Sequence, residues 1–271
     1  MNKRNWLSYC LIPVITFAVM ISILIALQPS YPKAQSTQIP TLFIHGFNGN
    51  ERSFGGMINR FNSKYGWGTT SQTLRVDTDG TVTPIGTYDK TAKNPLINVI
   101  FVSNKENLKT QAGYIKNVMT YLHKEDDIKK INVVTHSMGG SSLTVYLALN
   151  HDNKERPTVN KLVYIGVPLS PTDYNKKINN EEKAQRKISQ RMSETLPKST
   201  AFLIVAGYVD KEKGGDGSVT LESALLAEDI FKHNPLQTQI VKGSSGTHSG
   251  LHENDSVDER IGKFLWSVPA K

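Results

Sequence analysis

Beyond residue 10 the chain contains no cysteine. Cys10 itself opens an uncharged N-terminal run, where it cannot serve as a lipoprotein acylation site, since such a cysteine follows the apolar stretch. A disulfide framework, a cysteine zinc site and a thiol nucleophile are therefore excluded for everything downstream. Internal repeats and low-complexity tracts are also missing. Aromatics make up only 8% of the residues and no basic–aromatic stripe is present, which argues against nucleic acid as the partner. The excess of 32 Lys+Arg over 24 Asp+Glu, a net +8, points instead to an anionic lipid or wall polymer at a surface. Asp210 and Asp216 lie among three glycines but without the alternating oxygen-ligand spacing of a calcium loop. No metal and no cofactor are expected.

Charge is missing again between Trp6 and Leu27, a run of 22 residues preceded by Lys3 and Arg4. That length crosses a hydrocarbon core of roughly 30 Å. A cleaved signal has a shorter apolar region, about 7–15 residues, and then a small-x-small site. Ala34-Gln35-Ser36 offers such a site, but at some distance. Two readings stay open, a retained anchor and a cleaved signal, and the length favours the anchor. Either way the charge asymmetry puts the remainder outside the cell. The expected organisation is a signal or anchor over residues 1–28, a linker over 29–38 and one domain over 39–271. The membrane is a partner through residues 6–27 if they are kept, and the sequence leaves the oligomeric state open.

From residue 39 onward short apolar runs alternate with amphipathic stretches. Strands are expected at 41–44, 96–102, 131–135, 161–167, 201–206 and 239–241, with a hairpin turning at Asp79-Gly80. Helices are expected at 53–64 with Ser53 as N-cap, and at 108–123, 139–150, 176–194, 221–228 and 257–266. Fully apolar strands separated by helices predict an α/β fold, a mainly parallel sheet covered on both faces.

The string Ile131-Asn132-Val133-Val134-Thr135-His136-Ser137-Met138-Gly139-Gly140 carries the chemistry. A buried strand runs into a serine, and two small residues follow as a helix begins. The string resembles the nucleophile elbow of the α/β-hydrolases, Gly-x-Ser-x-Gly, in which a sharp turn exposes the serine hydroxyl. The first glycine position holds Thr135, which crowds the turn. His45-Gly46-Phe47 at the end of an early strand resembles the His-Gly pair of lipase-like hydrolases. That resemblance implies an oxyanion hole made by the backbone N–H groups of Phe47 and Met138.

The same resemblance implies a triad in the order serine, acid, histidine. Asp216-Gly217-Ser218-Val219 is similar to the Asp-Gly-x-Val signature of the triad acid, and Asp210, in a charged run, is the alternative. His248 follows a Gly/Ser-rich loop ahead of the terminal helix, where lipase-like chains carry the general base. His252 reads as a helix-start residue and is the alternative base. His136 is expected to point away from the site, and His123, His151 and His233 to lie on the surface. Residues 39–271 resemble a family of exported, lipase-like hydrolases of unassigned function from Gram-positive bacteria, the Leu251-His252-Glu253-Asn254 string included.

The function this implies is hydrolysis of short-chain carboxylic esters through an acyl-enzyme on Ser137, with a small-molecule ester as partner. The alternatives are an acyltransferase or peptidase using the same acyl-enzyme, and a catalytically silent binding protein on the cell surface. Residues 173–198 fall where such folds insert a lid, and a solvated surface helix is the other reading. Their few apolar residues argue for short acyl chains.

Overall fold

Along Thr41–Ile44 (β1) successive side chains point to opposite faces of the sheet, and every one is buried. Phe43 packs on one side against Phe54 and Phe61, with ring centroids 5.4 and 6.3 Å apart. Leu42 and Ile44 join the core on the other side, with Ile115, Val118 and Leu143. A strand apolar at every position is the mark of a sheet covered on both faces. The molecule is known from a computed structural model that describes residues 31–170 and 180–269, with Phe17 and Met20.

The chain parts into two compact units, Met1–Pro32 and Lys33–Lys271. The expected anchor or signal, residues 6–27, lies outside the described residues apart from Phe17 and Met20. Among the described residues no helix is long and apolar enough to cross a membrane. Within the second unit, the stretch read as linker is already tied down. Gln35 N–H donates to Trp266 O at 2.8 Å and Thr37 N–H to Asn94 Oδ1 at 2.7 Å.

The sheet has eight strands in the order β3-β2-β4-β1-β5-β6-β7-β8. They are β1, Thr69–Val76 (β2), Val82–Ile85 (β3), Pro95–Phe101 (β4), Lys130–His136 (β5), Thr158–Ile165 (β6), Ala201–Tyr208 (β7) and Leu236–Lys242 (β8). All neighbours are parallel except β3, which turns back on β2 in the hairpin around Asp79-Gly80. The helices are Glu51–Asn59 (α1), Leu108–Lys124 (α2), Met138–Leu149 (α3), Asn180–Thr195 (α4), Leu221–Ile230 (α5) and Asp255–Trp266 (α6). The α/β expectation holds.

Two helices, α1 and α6, start two residues earlier than expected, for one reason. Asn50 caps α1, its Oδ1 accepting from Arg52 N–H at 2.9 Å, while Ser53 Oγ accepts from Asn50 N–H at 3.0 Å. Ser53 therefore closes a capping box from inside the helix and is not the cap. Asn254 likewise caps α6 through Ser256 N–H, three residues before the first apolar position, Val257. Capping asparagines precede the hydrophobic periodicity, so periodicity alone starts the helix late.

At the far end of α1 the backbone widens into a π-turn, Arg60–Lys64, before Gly66 at φ 62° ends the segment. Helix α4 spends its apolar side on the core. Met192 is fully buried beneath Tyr164, and Leu196 follows it inward.

Candidate active site

Parallel strands bring the loops that follow them to one end of the sheet, and in open α/β sheets that end carries the site. Here the loops after β1, β5, β6, β7 and β8 hold His45–Gly49, Ser137, Gly166, Asp216 and His248.

Ser137 links β5 directly to α3 at φ 53° and ψ −135°, a conformation side chains avoid, costing about 1–3 kcal/mol. Its N–H is tied to Ile165 O of β6 at 3.0 Å, and its carbonyl accepts from Gly140 N–H at 3.0 Å. The hydroxyl does not cap the helix that follows. The turn is held by close packing of three segments. A Cβ on Gly139 would lie 2.7 Å from Ile44 O, and one on Gly46 would lie 2.8 Å from Ser137 Cβ. Only glycine permits these approaches. Thr135, in the elbow's usual glycine position, is fully buried, and its hydroxyl donates to Val163 O at 3.2 Å. The crowding falls on Gly140, where a Cβ would lie 2.8 Å from Thr135 Oγ1.

Asp216 is 2% exposed in a tight turn ending at Val219. Its Oδ1 accepts from Ser218 N–H at 2.8 Å and Val219 N–H at 2.6 Å. Its Oδ2 meets His248 Nδ1 at 2.7 Å. A carboxylate oxygen accepts, so in this contact His248 Nδ1 is the donor and Nε2 is the nitrogen left to face away from Asp216. His248 N–H also donates to Asp216 O at 2.9 Å, so backbone and side chain hold the same pair. Asp210 is exposed and binds only locally, to Lys213 N–H at 2.8 Å. The structure therefore brings His248 to Asp216 and leaves Asp210 outside.

Phe47 and Met138 flank the serine. Met138 is the first residue of α3, so its N–H has no partner within the helix. The Gly46 position lies close enough that its Cβ would stand 3.3 Å from Met138 N. Among the described residues the Phe47 N–H donates to no backbone carbonyl. Its loop is pinned one residue on, where Asn48, at φ 56°, donates to Asn104 O at 2.8 Å.

Three further histidines shape the site. His45 takes Phe101 N–H on Nε2 at 3.1 Å, so Nδ1 carries the proton and donates to Gly46 O at 2.9 Å. Burial lowers its pKa below the ordinary histidine value. His136 does not point away from the site, as expected from the turn. Its Nε2–H donates to His248 O at 3.0 Å, and burial, with His248 and His252 beside it, pushes its pKa well down. His252 is not a helix-start residue either. It lies buried in the short turn Gly250–Glu253, edge-on to His136 at 4.7 Å. The links of His136 escape sequence reading because they join residues more than a hundred positions apart. The one available hint was the density of histidine in the 248–252 loop.

A family model described as alpha/beta hydrolase of unknown function (DUF915) matches residues 28–268. The chain belongs to this family. Among solved structures, this α/β hydrolase is similar to the product of gene lin2722 from Listeria innocua. They share 25% identity at a TM-score of 0.76, over 87% of this chain and 96% of that one. A proposed cell surface hydrolase from Lactobacillus plantarum is 20% identical at a TM-score of 0.71, over 87% and 95%. A thermostable carboxyl esterase from Bacillus coagulans is 12% identical at a TM-score of 0.51, over 86% and 92%. The last two likenesses are likenesses of fold.

Proposed function

We propose that the chain is a serine hydrolase that cleaves short-chain carboxylic esters, with Ser137 as nucleophile, His248 as general base and Asp216 as the acid orienting it. The observation that carries this reading is the 2.7 Å contact of His248 Nδ1 with buried Asp216, in the loop cluster around the strained Ser137 turn. His248 Nε2 takes the Ser137 proton as Oγ attacks the ester carbonyl. The carbonyl oxygen gains negative charge and receives the N–H groups of Phe47 and Met138. His248 then gives its proton to the leaving alcohol, and water, deprotonated by the same nitrogen, releases the acid.

Short acyl chains are favoured by where the apolar residues go. Each buried methylene contributes about 0.8 kcal/mol only if a continuous apolar trough receives it. Met192 of α4 and Leu196 just after it are turned into the core, and Asn48 and Asn50 beside the site are polar and exposed. Specificity constants are expected to peak at about two to six acyl carbons by that area argument. The membrane-length run at residues 6–27 and the cell-surface description of the Lactobacillus relative support a place at the outer face of the cell.

Labelling with an aryl phosphonate followed by peptide mapping tests the nucleophile, with modification expected on Ser137 alone. Label on another serine, or full activity in Ser137→Ala, refutes it. A steady rise in kcat/KM toward twelve acyl carbons would refute the short-chain part and leave the triad standing.

A further inference from the structure

His248 sits in a loop that has little internal reason to be rigid. Between β8 and α6 the chain runs through Gly243, Gly246 and Gly250 and makes only two short turns, Gly243–Gly246 and Gly250–Glu253. Asp216 holds the imidazole at one nitrogen and the backbone at one N–H. Two other side chains grip the same loop from outside the triad.

On one side is His136, next to the serine. Its Nε2–H reaches the carbonyl of His248 itself at 3.0 Å, and its ring packs on those of His248 and His252 at 4.4 and 4.7 Å. A carbonyl only accepts, so the bond requires the proton on Nε2. On the other side is Arg60, the first residue of the π-turn after α1. Its Nη2 donates to His252 O at 2.7 Å, its Nη1 to Glu253 Oε2 at 2.7 Å, and its Nε to Asp258 Oδ2 at 2.5 Å. Nη2 adds a second bond to Asp258, to Oδ1 at 3.1 Å. Asp258 is fully buried at the start of α6, so the guanidinium joins the loop to a fixed helix. Single-turn π segments often occur at functional sites, and here the widened turn begins with the residue that makes these contacts. A lysine ammonium lacks the planar fork needed for this set of acceptors.

We propose that His136 and Arg60 are positioning residues for His248, gripping its loop at residue 248 and at residues 252–253 so that Nε2 is held toward Ser137. This rests on the triad reading above. Neither side chain is placed against substrate, and their effect passes through the loop.

The full chain, as wild type and as Arg60→Lys, His136→Phe and His136→Gln, tests it by hydrogen exchange and by p-nitrophenyl acetate kinetics. His136→Phe keeps the ring and removes the donor, whereas His136→Gln retains an N–H. In Arg60→Lys and His136→Phe, exchange over 244–253 is expected to rise while β5 and β7 stay protected. In both, kcat should drop about tenfold or more with KM nearly unchanged, since small misplacements of a catalytic group are that costly. His136→Gln should recover much of the loss. Unchanged exchange and kcat in the folded variants overturn the proposal, as does a general rise in exchange that includes the strands. Phosphonate labelling of the wild type separates the two ideas. An unlabelled Ser137 overturns the triad and this proposal together, and a labelled Ser137 with an indifferent loop overturns this proposal alone.

Discussion

At Ser137 a non-glycine residue occupies φ 53°, ψ −135°, and the strain has a signature separable from chemistry. In ordinary backbone a glycine is worth less than an alanine, by about 0.5–1 kcal/mol. Here the order should invert. Ser137→Gly and Ser137→Ala should both be inactive under the proposed mechanism, with the glycine variant the more stable by ~1 kcal/mol as it alone relaxes the turn. Urea unfolding of the pair measures the difference, and an alanine variant equal or superior to glycine would mean that the turn stores no strain. The two acids differ just as sharply. Asp216 is buried with three partners, whereas Asp210 is exposed. Asp216→Asn should lower kcat by about 10⁴, the loss seen when a triad acid is replaced. Asp210→Asn should remain within twofold of wild type by the roughly neutral behaviour of exposed sites. Reversed outcomes in ester kinetics would move the acid to Asp210.

Element by element, the close contact between α3 and the end of β1 turns a usual rule around. Gly→Ala inside a helix normally gains up to about 1 kcal/mol. At Gly139 the new methyl would meet Ile44 O at 2.7 Å and the carbonyl carbon of His45 at 2.9 Å, both backbone. Gly139→Ala should cost about 1–3 kcal/mol by overpacking and displace the Gly46–Phe47 segment with it. A thermal melt together with kcat measures both, and an unchanged or raised Tm would show that β1 can give way. β1 and β7 were readable because Leu42–Ile44 and Ala201–Ala206 are unbroken apolar runs, and β5 into Ser137 and Gly139-Gly140 was readable because close packing leaves only small residues possible. Helix starts were less so, since Asn50 and Asn254 act through a side-chain oxygen that hydrophobic periodicity does not register. The turn holding His252 was illegible. Its burial depends on His136 and Phe54 from distant segments, and nothing in the local string 248–254 distinguishes a buried imidazole from a solvated one.

Over the whole molecule, three buried histidines make stability depend on pH in one direction. His45, His136 and His252 all have pKa values lowered from 6.5, in each case first by burial, with Glu253 opposing the shift at His252. As pH falls through 6.5 the unfolded chain binds protons at these positions and the folded one does not. Stability is therefore fully present above 6.5 and is lost on acidification toward the lowered values. Each group that stays neutral costs about 1 kcal/mol between pH 6.5 and 5.5, so the three together cost at most ~3. Asp258 works the other way. Burial raises its pKa to about 6 against the pull of Arg60 and Tyr65, so the folded state takes up its proton first as pH falls. That recovers about 0.7 kcal/mol over the same interval. The net expectation is a loss of at most about 2 kcal/mol, set against the 5–15 kcal/mol that holds a typical domain together. Urea titrations at pH 7.5, 6.5 and 5.5 measure it directly. His136→Phe, which removes the most strongly shifted imidazole, should flatten the dependence by up to about 1 kcal/mol over this interval. Stability that is constant or rises toward pH 5.5 would mean that the folded protein opens the 248–252 loop and lets these rings take up protons.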